Sequence, residues 1–160
     1  MTEAVAEQPL LIDEDTFLNC GVHIGTKQKS KDMQPFIQEI TTEGPPIHLF
    51  NISKTDERIA LAAKFLTMYE PQEILVVSAR QYGQRPARRF AQAIGARHIV
   101  GRFIPGTLTN PRLRTYIEPR LIFVTDPQAD SQALSEAVNS GLPVVGICCL
   151  GYTTDDAEQE

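Results

Sequence analysis

The side chains most able to meet a ligand in this sequence are its cations. All fifteen Lys and Arg lie between Lys27 and Arg120, among eight acids, giving that stretch +7 where the whole chain carries −5. From Arg80 to Arg120, nine arginines face one acid, Glu118. Such asymmetry is the footprint of a polyanion-binding face with acidic flanks. Three elements are expected to present cations: a lysine loop (Lys27, Lys29, Lys31), a helix face (Arg85, Arg88, Arg89) and a long connection (Arg102, Arg112, Arg114). Arg80 stands in the turn before that helix. All are expected to converge on one surface and contact phosphates. Thr107, Thr109 and Asn110, and His23 beside the lysine loop, are candidates for ribose contact or loop shaping.

Other chemistries fail on spacing. The turn Ser78–Gln84 lacks the glycine fingerprint that admits a pyrophosphate. Gly101 to Gly106 has P-loop glycine spacing, but Thr107-Leu108 stands where Lys-Ser/Thr is required, and Pro105 removes an amide donor. The turn Thr125-Asp126-Pro127 is glycine-free. His23, His48 and His98 are scattered, with neither metal-ligand nor nucleophile-elbow spacing. Cys20, Cys148 and Cys149 form no Cys-x-x-Cys pair and are expected to be reduced. No cofactor, no metal and no catalytic residue is expected. No apolar run nears the ~18–20 residues that span a bilayer. Residues 1–9 lack the apolar core of a secretory signal, so a cytoplasmic location is expected.

The elements that must position the cations follow from periodicity. Residues 1–12 read as a flexible acidic arm, 13–147 as an α/β domain, and 148–160 as an acidic, disordered tail. A short helix fits 13–19. Residues 36–41 and 47–52 read as strands around the Gly44-Pro45-Pro46 turn. Ser53 is the expected cap of a helix from about 54 to 69, with Ile59, Ala62, Leu66 and Tyr69 buried. The runs at 74–77 and 121–124 are strands covered on both faces. A helix is expected over 84–94, with Pro86 in its first turn and Gly95 ending it. Short strands at 98–100 and 144–147 and a helix over 129–139 complete the pattern. Alternating strands and helices predict a Rossmann-like (flavodoxin-like) sandwich with a mostly parallel central sheet. The connection 101–119 is longer than compact domains usually tolerate without function.

Several of these segments resemble ribosomal small-subunit protein two, in its archaeal form. They are Cys20-Gly21-Val22-His23-Ile24-Gly25 with the lysine loop, Lys54 to Ile59, Ser78 to Gln84, Gly101 to Pro111, and Val124-Thr125-Asp126-Pro127. The similarity runs from about Leu10 to Ile147, and Gly-Arg-Phe-x-Pro-Gly-Thr-x-Thr-Asn is its most specific part. The resemblance implies a Rossmann-like domain that binds small-subunit rRNA and neighbouring ribosomal proteins near the junction of head and body. It implies a structural constituent of the small subunit, with no membrane and no small-molecule substrate. The archaeal form is indicated because the bacterial coiled-coil insertion after Ile52 is absent. The text after Ile147 departs from the family, where another strand and a final helix follow. A C-terminally shortened sheet with an exposed edge, and lower stability than its relatives, are therefore expected. Two other readings stay open on the residues alone: a non-catalytic protein-protein interaction module, and a nucleotide-binding α/β enzyme.

Overall fold

The computed structural model describes residues 11–28, 30–40 and 47–151. Helix α1 (Glu14–Asn19) leads to an antiparallel pair, β1 (Ile37–Ile40) and β2 (His48–Phe50). Residue Ile24 bridges to Leu49 on the other side of β2. Helix α2 (Ile52–Leu66) then enters the main unit. That unit holds β3 (Ile74–Ser78), α3 (Gln81–Ile94), β4 (Arg97–Val100), β5 (Leu121–Val124), α4 (Ser131–Asn139) and β6 (Val144–Gly146). Its four strands are all parallel, in the order β4-β3-β5-β6.

Apolar runs explain why β3 and β5 are central. Every residue of β3 is buried, and alternate residues serve opposite faces. Ile74, Val76 and Leu121 pack against Ala87 and Ala91 of α3 and against Phe65, Leu66 and Tyr69 at the end of α2. Leu75, Val77, Ile122 and Val124 pack against Ala133 and Ala137 of α4, with Phe103 and Leu108 from the long connection. Helix α3 and the end of α2 thus cover one face, and α4 and residues 101–117 cover the other. The β3-α3-β4 and β5-α4-β6 crossovers move in opposite directions along the sheet and use opposite faces. They therefore share one hand, as parallel crossovers require.

Several boundaries differ from the sequence expectation. Helix α2 is capped by Asn51, whose Oδ1 accepts from the Lys54 N–H at 3.1 Å, and not by Ser53. Ile59 is 41% exposed rather than buried. Helix α3 starts a turn early, so Pro86 lies in its second turn, where an N–H would have met the Tyr82 carbonyl. Gly95 ends it in the left-handed region at φ 78°, as expected. The expected tail boundary at 148 falls too early. Leu150 is fully buried, and its carbonyl accepts from the Ser30 N–H at 2.8 Å. The arm's end is tied as well, with the Leu11 N–H donating to buried Asp56 at 2.9 Å. Residues 1–10 and 152–160 lie outside the described residues, as do the turn at 41–46 and Lys29.

Candidate nucleic-acid interface

A doubly wound sheet offers ligands a crevice at the carboxyl ends of its strands, where neighbouring crossovers part. Here that point lies between β3 and β5, and the chain fills it. The Thr125 hydroxyl donates to Ser78 Oγ at 2.7 Å. Asp130, 1% exposed, accepts from the Ala79 N–H at 2.6 Å. Burial raises the Asp130 carboxyl above its ordinary range. Gly83 packs so closely that an added Cβ would lie 2.6 Å from Ser78 Oγ. Arg80 Nε meets Asp126 Oδ2 at 2.9 Å. The turn before α3 spends its Ala79 amide on the protein's own carboxylate, and among the described residues no cradle remains there for a pyrophosphate.

The exposed arginines lie elsewhere, on the edge strand β4 and on the elements before and after it, which cover opposite faces of the sheet. In α3, Phe90 stacks on Phe123 of β5 at 4.9 Å, while Gln84 lies near Gly101 at the end of β4. These contacts orient the helix. Arg88, one turn after Gln84, leans toward β4, and Arg85 and Arg89 face outward beside Tyr82, which is 89% exposed. Arg97 and His98 stand exposed on β4 itself. Beyond β4, Arg102 and Arg114 line one cleft of about 350 Å³ with Ile99, Thr107, Tyr116 and Ile117. Arg112 is exposed on the same connection. Among the described residues, the ion pairs are Arg80–Asp126 and Arg120–Glu73. The seven arginines 85, 88, 89, 97, 102, 112 and 114 have none.

Rigidity of the long connection comes from one buried side chain on α4. Glu136 accepts from the Gly106 N–H at 2.6 Å and the Leu108 N–H at 3.0 Å, and Gln132 donates to it at 3.0 Å. Gly106 takes φ +88°, a conformation that favours glycine. The Asn110 N–H then donates to the Gly106 carbonyl, and the Ile117 N–H to the Thr107 carbonyl. A segment without helix or strand is thereby held as a folded loop that sets Arg102 and Arg114 side by side.

The sequence-expected residues divide accordingly. Arg102 and Arg114 line one cleft and Arg112 is exposed on the same connection, while Arg85, Arg88 and Arg89 are exposed on α3, which covers the opposite face of the sheet. Arg80 is exposed but already engaged by Asp126. Of the two roles expected for Thr107, the structure supports loop shaping: it is 2% exposed and its hydroxyl donates to the Ile104 carbonyl at 2.6 Å. Asn110 also shapes the loop, accepting from the Arg112 N–H at 3.1 Å, while Thr109 stays exposed. His23 is half-buried, its carbonyl accepting from the Phe50 N–H and its Nδ1 enclosed without a partner. Lys27 and Lys31 are exposed on a loop held through Ser30 to Leu150, just past β6. β6 is the opposite edge strand from β4, three strand spacings or about 15 Å across the sheet. The lysine loop is thus tied to the segment that follows the other edge strand, and Asp126 follows β5, which lies between the two edges. Sequence reasoning missed Arg97 and His98, whose exposure depends on β4 being an edge. It also missed Glu136, although its i, i+3 relation to Ala133 placed an acid on a buried stripe.

The family model for ribosomal protein S2 matches residues 17–118. The small ribosomal subunit protein uS2 of Methanoregula boonei is 53% identical over 146 residues, covering 91% of this chain and 70% of the relative. The uS2 of Haloquadratum walsbyi is 51% identical over 152 residues, covering 95% of this chain. The chain spans about half, 54%, of that second relative's length. Matched over more than half its length and more than half identical to such relatives, this chain belongs to the ribosomal protein S2 family.

Proposed function

We propose that this chain is a structural constituent of the small ribosomal subunit, holding small-subunit rRNA along its β4 flank. The family is one of ribosomal structural proteins rather than enzymes. The observation that carries the RNA reading is that seven exposed arginines, on α3, β4 and the connection after it, form no ion pair among the described residues, with no acid between Arg80 and Glu118 in the sequence. Guanidinium groups engage phosphate oxygens in paired, planar fashion. Backbone contacts of this kind fix a protein on RNA without reading its sequence. The lysine loop, with Lys27, Lys29 and Lys31, serves as a second contact, to rRNA or a neighbouring ribosomal protein. The place of action is the ribosome in the cytoplasm. Among the described residues no helix is long and apolar enough to cross a membrane.

Binding to small-subunit rRNA across a salt series tests this. Arg102→Ala and Arg114→Ala should each reduce the slope of log affinity against log salt by about one. An undiminished slope in both variants would remove the β4 flank from the interface.

A further inference from the structure

The cleft beside β4 differs from the rest of the cationic flank because it is concave and its floor is apolar. Ile99 and Ile117 form that floor; Arg102, Arg114, Thr115 and Tyr116 stand at its walls. The Tyr116 hydroxyl donates to Glu118 Oε1 at 2.5 Å, which turns the acid to the ring and fixes the ring's orientation. Glu136 braces the loop from behind, so the cleft does not depend on a ligand to form. We propose that this cleft holds one unpaired nucleotide of a single-stranded RNA segment, its base over the Ile99 and Ile117 floor and its flanking phosphates on Arg102 and Arg114. The proposal rests on the RNA reading above and sharpens it to a class of RNA.

The chemistry favours an unpaired nucleotide over a helical stem. A base in an A-form helix is stacked on both faces, and its groove edge cannot enter a cleft of about 350 Å³. A splayed base can, and it stacks well on guanidinium planes and aromatic rings. The exposed Thr115 hydroxyl supplies a partner for a ribose 2′-OH. An acidic peptide would also suit two arginines. However, Arg97 on β4 and Arg112 on the same connection are exposed besides the two arginines of the cleft, and several cations suit a chain of phosphates better than one carboxylate.

The test uses the full chain with two RNAs: a hairpin with an unpaired loop, and a blunt duplex of the same stem. Wild type should prefer the hairpin by about tenfold. Thr115→Leu, which crowds the cleft and removes the hydroxyl while adding no ring and removing no charge, should reduce that preference severalfold and leave duplex binding unchanged. Thiouridine in the loop should photo-crosslink to the peptide holding residues 99–117, a readout that needs no variant. A hairpin preference untouched by Thr115→Leu, with crosslinks mapping elsewhere, overturns the cleft assignment and leaves the phosphate contacts standing. Equal affinity of wild type and a doubly reversed Arg102→Glu, Arg114→Glu chain for both RNAs overturns the RNA reading itself. Tighter binding of a Glu- and Phe-containing peptide than of the hairpin, lost in Thr115→Leu, also overturns the proposal and makes the cleft a protein-docking site.

Discussion

Replacing Glu136 with alanine removes the acceptor for two backbone N–H groups on the long connection, at 2.6 and 3.0 Å, and for the Gln132 amide. Hydrogen bonds to a charged group contribute about 1.5–3 kcal/mol each. The Leu108 N–H is buried and cannot recruit water, whereas Gly106 is half-buried and can in part. The expected loss is therefore about 2–4 kcal/mol, the full value for one bond and a fraction for the other. For a chain of this size that corresponds to about 5–15 °C in melting temperature. Glu136→Gln keeps one acceptor and should lose about half as much. Thermal unfolding followed by circular dichroism gives the magnitude. Affinity for small-subunit rRNA gives the consequence, since the loosened loop carries Arg102, Arg112 and Arg114. Because Glu136 is buried and on α4, it has no contact of its own to offer RNA. A melting shift under 2 °C with unchanged affinity would refute the claim that this carboxylate holds the loop in its binding posture.

Two further outcomes follow from buried contacts. Burial raises the Asp130 carboxyl, so the folded chain binds its proton more tightly than the unfolded one does. Its contribution to stability is therefore greatest at low pH and declines as pH rises from about the ordinary value of 3.8 through the raised one. Urea unfolding of wild type beside Asp130→Asn should show that decline, and parallel pH profiles would contradict it. Gly25→Ala would place a Cβ against the Leu150 side chain and 2.5 Å from the His48 carbonyl oxygen. Overpacking of that kind costs about 1–3 kcal/mol. An unchanged urea midpoint would show that the segment around Leu150 is not held there.

The central strands were legible because burial on both faces leaves no polar residue in Ile74–Val77 or Leu121–Val124, and no other element demands that. Helix ends were less so. Asn51 and Ser53 are both good caps, and only the strand pairing of Phe50 decides between them. The start of α3 is held by Asp130, 51 residues from Ala79, and by Asp126, which pairs with Arg80 from just past β5, and no local pattern reveals either. The same limit applies to the interface. Charge asymmetry identified the arginines, but which of them share a surface depends on strand order. β4 is an edge, and the lysine loop docks past β6. The long connection was readable as unusual, whereas its rigidity depends on one acid thirty residues away at Glu136.

Arginine modification mapped residue by residue, with and without small-subunit rRNA, addresses the β4 flank most directly. Arg85, Arg88, Arg102 and Arg114 should be protected by RNA. Arg120, paired with Glu73 at the opposite end of the strands, should react equally in both states. Undiminished reactivity at all four, or protection confined to Arg120, would contradict an interface at β4.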